Sequence, residues 1–314
     1  MDRPLVISVV VPVYGVEKYI AEFAESLFSQ SYPHIQFIFV NDGTKDASID
    51  ILNSLIDASY SHLRDKVRII NKKNGGLPAA RKTGMDYVTG DYVCHMDPDD
   101  WISPDSISRI AAVATRTGAD FIYYHYVKEY LNRSSVKKEG LYSIDDKSRY
   151  IRNMYNHRAY GTLCNKCVRT EVYRKNDVCF PRFSYAEDCF LSSQLAGYSK
   201  SMARLDEVVY HYRKFNSSSI THQGRKRKKR EYAMNFLDLY EKYKDVPENS
   251  NPVSCLFDDI LIQAGWYSIL YGFGFFKEYP YLARAVFKAR MHFGTDVNVF
   301  AQLLVKIVAA FHCL

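Results

Sequence analysis

The sequence predicts an α/β fold in which a doubly wound, mostly parallel sheet is followed by a C-terminal helical appendage. Three observations carry that expectation. Strand-like and helix-like segments alternate about every 30 residues through the first third of the chain, the rhythm of βαβ units. The strand-like runs are continuously apolar and β-branched, as in strands covered on both faces. From Glu231 onward helical periodicity takes over.

The first strand is read over 6–13, apolar apart from Ser8 and Pro12, and Tyr14-Gly15 turns the chain. Residues 17–29 place Ile20, Phe23, Ala24, Leu27 and Phe28 at helical spacing. The second strand, 35–40, ends in Asn41-Asp42-Gly43-Thr44, and a helix carrying Ile49, Leu52 and Ile56 follows. After a third strand over 67–70, the polar loop 71–76 leads to a helix opened by Pro78, a residue suited to a first turn. The fourth strand, 92–96, runs into Asp97-Pro98-Asp99-Asp100-Trp101. The second half is less regular. It offers a strand over 121–126, a polar, loop-like stretch over 128–147 and a short helix after Asn165-Lys166. A helix opened by Tyr185-Ala186-Glu187-Asp188 and a short strand over 208–212 follow. The basic run 224–230 marks a composition shift. The expected division is therefore a core domain over 1–220 and a helical appendage over 221–314, with no internal repeat.

Composition agrees with a globular chain: 314 residues, 47% hydrophobic and 25% charged. The net charge of +7 suits an anionic partner. The 26 tyrosines are expected mainly as half-buried packing. Seven cysteines and no signal-like segment before the first strand suggest reduced thiols in a cytoplasmic protein. Cys164 and Cys167, with Cys179 and Cys189 beyond, lack the tight second pair of a zinc knuckle and read as small buried hydrophobes. No apolar run is long and clean enough to span a bilayer.

Three polar turns follow strand C-termini, at Tyr14-Gly15, Asn41-Asp42-Gly43 and 97–100, and in a doubly wound sheet they converge on one crevice. Carboxylates crowded at such an edge repel one another and are costly to desolvate, and a hard cation offsets the repulsion. The alternative is a surface loop in which Asp99 or Asp100 caps a helix. No Gly-x-Gly-x-x-Gly follows the first strand and no Gly-x-x-x-x-Gly-Lys-Ser/Thr is present, which argues against a dinucleotide fold and a P-loop. A sugar-nucleotide site with Mg²⁺ or Mn²⁺ on a diphosphate remains.

At this point the chain resembles family 2 glycosyltransferases of the GT-A fold. The motifs Val9-Val10-Val11-Pro12-Val13-Tyr14, Val40-Asn41-Asp42-Gly43-Thr44, Asn74-Gly75-Gly76-Leu77-Pro78-Ala79-Ala80-Arg81 and Met96-Asp97-Pro98-Asp99-Asp100-Trp101 stand in the family's order and spacing, and the likeness covers roughly residues 5 to 220. Asn165-Lys166, Glu187-Asp188 and His211-Tyr212-Arg213 with Ser219-Ile220-Thr221 are similar to the family's bacterial surface-polysaccharide branch. The resemblance implies that Pro12, Val13 and Tyr14 line the base pocket and that Asp42 accepts a hydrogen bond from uracil N3–H, which favours UDP. It implies that Lys73 and Arg81 meet base or phosphates, that Asp97 touches ribose or metal-bound water, and that Asp99 ligates Mn²⁺ or Mg²⁺, with His211 a further candidate ligand. It implies an inverting hexosyltransferase with Asp188 as the base and Glu187 as its support or the acceptor's. Lys166 and Arg213 could face phosphates or an acidic acceptor, or be ordinary ion-pair partners.

The expected partners are a UDP-sugar donor and a glycan or lipid-linked acceptor. The basic run reads as a solvated helix face or a contact with the anionic inner leaflet, giving a cytoplasmic protein peripheral on the plasma membrane. No recognised nucleic-acid module accompanies it, so no nucleic acid is expected. The apolar face of 300–311 (Phe300, Leu303, Leu304, Ile307, Val308, Phe311) could pack on the core, form a homo-oligomer contact or rest on membrane. Rival readings are a sugar nucleotidyltransferase and an inactive homologue that binds membrane surfaces.

Overall fold

The chain runs β1 (Ile7–Val13), α1 (Ile20–Phe28), β2 (Ile35–Asn41), α2 (Ser48–Ser59), β3 (Val67–Asn71), α3 (Leu77–Asp86), β4 (Tyr92–His95), β5 (Trp101–Ile102), α4 (Ser106–Thr117), β6 (Phe121–Tyr130) and β7 (Arg133–Lys137). It continues through α5 (Lys147–Tyr155), β8 (Lys166–Arg169), α6 (Thr170–Arg174), α7 (Glu187–Tyr198), β9 (Met202–Arg213), α8 (Arg225–Tyr243), α9 (Phe257–Tyr271), α10 (Phe275–Glu278), α11 (Leu282–Lys288) and α12 (Val299–Cys313). This computed structural model describes residues 3–215, 224–291 and 297–313, and of the last helix the side chains of Phe300, Phe311 and Cys313 are not described. Ser219-Ile220-Thr221 therefore lies outside the described residues.

Contacts group the chain into two compact units. The first comprises residues 1–145, 162–180 and 198–218, and the second comprises 146–161, 181–197 and 219–314. A division at 220 does not anticipate the two excursions that carry α5 and most of α7 into the second unit.

The first unit is built on one nine-stranded sheet in the order β3-β2-β1-β4-β8-β6-β9-β5, with β7 on β6. The β3, β2, β1 and β4 strands are parallel, and all seven residues of β1 are buried, as both faces of a parallel strand should be. Pro12 lacks an N–H donor, and it sits past Val10, where β4 stops pairing with β1, so no ladder bond to β4 is lost. Val10, Ile38, Val40, Ala80, Val88 and Val93 form the buried layer between α3 and the sheet. This half matches the sequence expectation.

Later elements depart from it. The stretch expected as a loop over 128–147 contains the end of β6, the hairpin partner β7 and the start of α5. The hairpin pairs Tyr130 with Arg133 across a two-residue turn, and β7 is too exposed to show an apolar face. The short helix expected after Asn165-Lys166 is α6, but an unexpected strand intervenes: β8 inserts antiparallel between β4 and β6. Trp101-Ile102 is the short strand β5, paired with β9, so neither Asp99 nor Asp100 caps a helix; α4 begins after Asp105. The basic run lies inside α8.

The second unit is helical. Tyr150, Ile151, Met154 and Tyr155 of α5 are buried, and Tyr155 packs against Tyr232 and Phe236 of α8 with centroids 5.5 and 4.7 Å away. Its phenol donates to Gln263 Oε1 at 2.7 Å on α9.

Helix α3 lies so close to the sheet that a Cβ on Gly84 would collide with Val10 Cγ1 and stand 3.3 Å from Val40 Cγ2. Gly84→Ala is therefore expected to destabilise the protein by about 1–3 kcal/mol through overpacking, read as a lower urea midpoint at unchanged m-value.

Candidate active site

The C-terminal ends of β1, β2 and β4 lie side by side at one sheet edge, and their turns are tied together. Tyr14, with 54% of its surface exposed, follows the buried Pro12 and Val13. Gly15 takes φ +69°, and its N–H donates to Thr44 Oγ1 at 2.9 Å. Asp46 was not singled out from sequence, yet it holds both turns: it accepts from Thr44 and Ser48 hydroxyls at 2.7 and 2.6 Å and from the Glu17 N–H at 2.9 Å. Burial pushes its carboxyl up, but these hydrogen bonds together hold its pKa below the usual aspartate value.

Asp42 is buried and closes the loop before α3. Its Oδ1 accepts from Gly75 N–H at 2.9 Å and from Lys72 Nζ at 2.5 Å, and its Oδ2 accepts from Gly76 N–H at 2.8 Å. Gly76 adopts φ +83°, a left-handed conformation that glycine takes without a Cβ penalty. Lys73, expected to meet base or phosphates, is exposed; its neighbour Lys72 makes the ion pair with Asp42, and the Lys73 carbonyl accepts from the same Nζ at 2.8 Å. Adjacent lysines in a loop could not be ranked by sequence.

Arg81 has 0% of its surface exposed and reaches Asp97 Oδ1 from α3 at 2.7 Å. Near it, His95 is buried, and among the described residues neither ring nitrogen has a hydrogen-bond partner. Burial and the Arg81 charge push its pKa far down, so the imidazole is neutral.

The three carboxylates of 97–100 take different roles. Asp97 and Asp99 are half-exposed, whereas Asp100 has 0% of its surface exposed. Asp100 Oδ2 accepts from the Tyr210 phenol and Oδ1 from the Arg213 N–H, both at 2.7 Å. Burial, with Asp99 and Asp97 close by, pushes its pKa well above the usual aspartate value against those two bonds. Arg213 also donates from Nε to the Asp99 carbonyl at 2.8 Å and pairs with Glu22 at 2.6 Å. Its guanidinium lies over the rings of Trp101, Phe215 and Tyr19, 4.7 to 5.1 Å from their centroids. Arg213 thus braces the acidic turn.

His211, expected as a metal ligand, is engaged through both nitrogens. Nδ1 meets Glu129 Oε1 at 2.7 Å, Nε2 meets Ser103 Oγ at 2.9 Å, and the ring stacks on Trp101 at 5.2 Å. Both ring nitrogens are thus engaged inside the first unit, by Glu129 and by Ser103. Lys166 is likewise enclosed: its Nζ donates to Thr162 O at 2.9 Å and Asn165 Oδ1 at 2.8 Å, 3.7 Å from Glu139. Among the described residues no group of three His, Cys, Asp or Glu could hold a metal. Two half-exposed carboxylates nonetheless fit a hard cation such as Mg²⁺, which takes one or two protein carboxylates and completes its shell with phosphate and water oxygens.

Glu187 and Asp188 belong to the second unit, in the first turn of α7, Glu187 buried and Asp188 half-exposed. Ala186 just before them takes φ +62°, an uncommon conformation for a residue with a Cβ.

Residues 8–177, more than half of the chain, match the profile of Glycosyl transferase family 2. The protein belongs to that family, and its fold is of the GT-A type. It is 29% identical over 233 residues to the putative glycosyltransferase EpsH of Bacillus subtilis, a match covering 72% of this chain and 65% of that protein. It is 27% identical over 221 residues to glycosyltransferase GlyA of Streptococcus pneumoniae, covering 66% of this chain and 30% of that protein. The matches thus span less than two thirds of these relatives' own length. The crystal structure of Staphylococcus aureus TarS 1–349 in complex with UDP-GlcNAc has a TM-score of 0.62 at 20% identity, covering 90% of this chain and 80% of that one. At that identity the likeness is one of fold.

Asp42→Ala strips two backbone N–H groups and Lys72 of their acceptor. It is expected to cost about 1–3 kcal/mol and to speed amide exchange at Gly75 and Gly76. Glu129 supplies a pH test. Burial raises its pKa, but hydrogen bonds from Ser134 and His211 outweigh that and hold it below the usual glutamate value. A depressed folded-state pKa gives stability that is present above the unfolded pKa and is lost as pH falls through the folded one. Glu129→Gln should therefore destabilise by about 1–3 kcal/mol at neutral pH, with the gap from wild type closing in acid on urea titration at stepped pH.

Proposed function

We propose that the chain is a metal-dependent, inverting glycosyltransferase that moves a sugar from a UDP-sugar to a glycan or lipid-linked acceptor in cell-surface polysaccharide, lipooligosaccharide or glycoprotein assembly. The observation that carries this reading is the half-exposed pair Asp97 and Asp99 at the same sheet edge as Tyr14 and Asp42, within a family 2 fold. Support comes from the fold neighbour TarS, named a poly(ribitol-phosphate) beta-N-acetylglucosaminyltransferase and crystallised with UDP-GlcNAc.

In this reading the exposed Tyr14 ring stacks on the uracil, with Pro12 and Val13 lining the pocket through backbone groups. Asp42 Oδ2 carries one N–H bond from Gly76, which leaves it the capacity to accept a second from uracil N3–H. Arg81 orients Asp97 for the ribose. Asp99 would hold Mn²⁺ or Mg²⁺, with Asp97 on the ribose or on metal-bound water; the ion when bound offsets the negative charge of the leaving diphosphate. Asp188 takes the proton of an acceptor hydroxyl as that oxygen bonds to the anomeric carbon. The bond from that carbon to the diphosphate oxygen breaks, and its electron pair leaves with UDP. Attack from the opposite face inverts the configuration. Glu187 positions Asp188 or the acceptor. A lipid-linked acceptor places the enzyme at the inner face of the membrane.

Calorimetric titration of UDP with Mn²⁺ should give binding that EDTA abolishes and that Asp99→Ala weakens about tenfold or more. Absence of UDP binding in every condition would sink the UDP reading. Asp188→Asn is expected to keep UDP binding while lowering kcat by about 10²–10⁴. A variant with unchanged kcat would remove Asp188 as the base.

A further inference from the structure

We infer that the last helices of the second unit form a surface that docks on an anionic lipid bilayer, with the outer face of α12 as its apolar element and Lys226, Lys277 and Lys306 as its cationic rim. Helix α12 is apolar on both sides. Ala301, Val305 and Ala309 face inward and are buried, Val305 so closely that a Cβ on Gly265 of α9 would stand 2.5 Å from its Cγ1. Water-facing positions of such a helix should be polar, yet Leu303 and Ile307 are 48% and 47% exposed, and Leu304 is exposed between them. Periodicity in the sequence marked these residues as one face, and the packed face is the opposite one.

The apolar surface continues past the helix. A groove of about 240 Å³ is lined by Ile269, Phe273, Phe276, Lys277, Val308 and His312 among others. Val308 and His312 follow Leu304 at four-residue steps, so helix face and groove are continuous. Leu270, 52% exposed, adjoins Ile269 on α9.

Charge decides the occupant. Lys226 Nζ lies 5.8 Å from the Phe273 ring, tying the basic start of α8 to the groove. Lys306 sits beside Ile307, and its Nζ donates to the carbonyl of the exposed Phe287 at 2.9 Å. Glu278, the acid nearest the groove in sequence, is paired with Arg230. Between residues 266 and 314 five Lys or Arg stand against two acids. Apolar side chains among lysines match the boundary between acyl chains and anionic headgroups. The same rim would set like charges together if two copies met on this face. No described helix is long and apolar enough to cross a membrane, so the surface lies on the bilayer.

The test uses the full chain and vesicles without donor or acceptor, so its outcome is independent of the UDP reading, on which only the side of the membrane rests. Wild type should co-sediment with vesicles containing about one-third phosphatidylglycerol, bind pure phosphatidylcholine at least about tenfold more weakly, and release at high salt. Leu303→Asp with Ile307→Asp, and separately Lys226→Glu with Lys277→Glu, should each weaken binding about tenfold or more with an unchanged circular dichroism spectrum. Equal binding to both vesicle types would overturn the proposal. So would absence of binding, or a dimer in sedimentation velocity that Leu303→Asp with Ile307→Asp dissociates.

Discussion

Three carboxylates within four residues at the end of one strand set the constraint that the rest of the first unit answers. Three like charges facing a diphosphate would repel it and one another. Asp100 is turned inward, where burial favours its proton and the Tyr210 phenol and Arg213 N–H occupy its oxygens. Asp97 is drawn to Arg81, and Asp99 stays half-exposed. The clamp needs β9 beside β5, and the Trp101–His211 register supplies that. The odd features of this region follow from it: a two-residue strand where a helix could have begun, an arginine stacked among three rings, and a histidine held at both nitrogens.

The same economy governs the other turns. Asp42 organises the loop ahead of α3 through backbone donors, so the pocket wall is built from the residue that would also read the base. Asp46 does the equivalent for the turns after β1 and β2. The buried Asp42 and the half-buried Asp46, each satisfied by several donors, fix the path of these loops through the protein's own groups. Pre-organisation of this kind is what an enzyme needs if binding energy is to reach the reacting atoms.

In the second unit helix α12 spends its smaller residues on packing and leaves its larger aliphatic ones outside. That inverts the usual use of a helix in water. The lysines around it keep such a surface soluble through like-charge repulsion until an anionic plane covers it.

The sequence by itself determined the parallel half of the sheet, because a strand buried on both faces must be continuously apolar and its turns must be polar. It also determined which turns meet, since parallel strands joined by helices put their C-terminal ends on one edge. The four motifs placed the family for the same reason: they are local, ordered and short. Tertiary structure alone decided which of three aspartates is buried, which of two adjacent lysines pairs with Asp42, and that His211 and Lys166 serve internal networks. Each choice depends on a partner far along the chain: Tyr210 for Asp100, Glu129 for His211, Glu139 for Lys166. Strands β7 and β8 were illegible because one is polar and mostly exposed and the other is four residues long. Periodicity cannot mark an element that short or that polar.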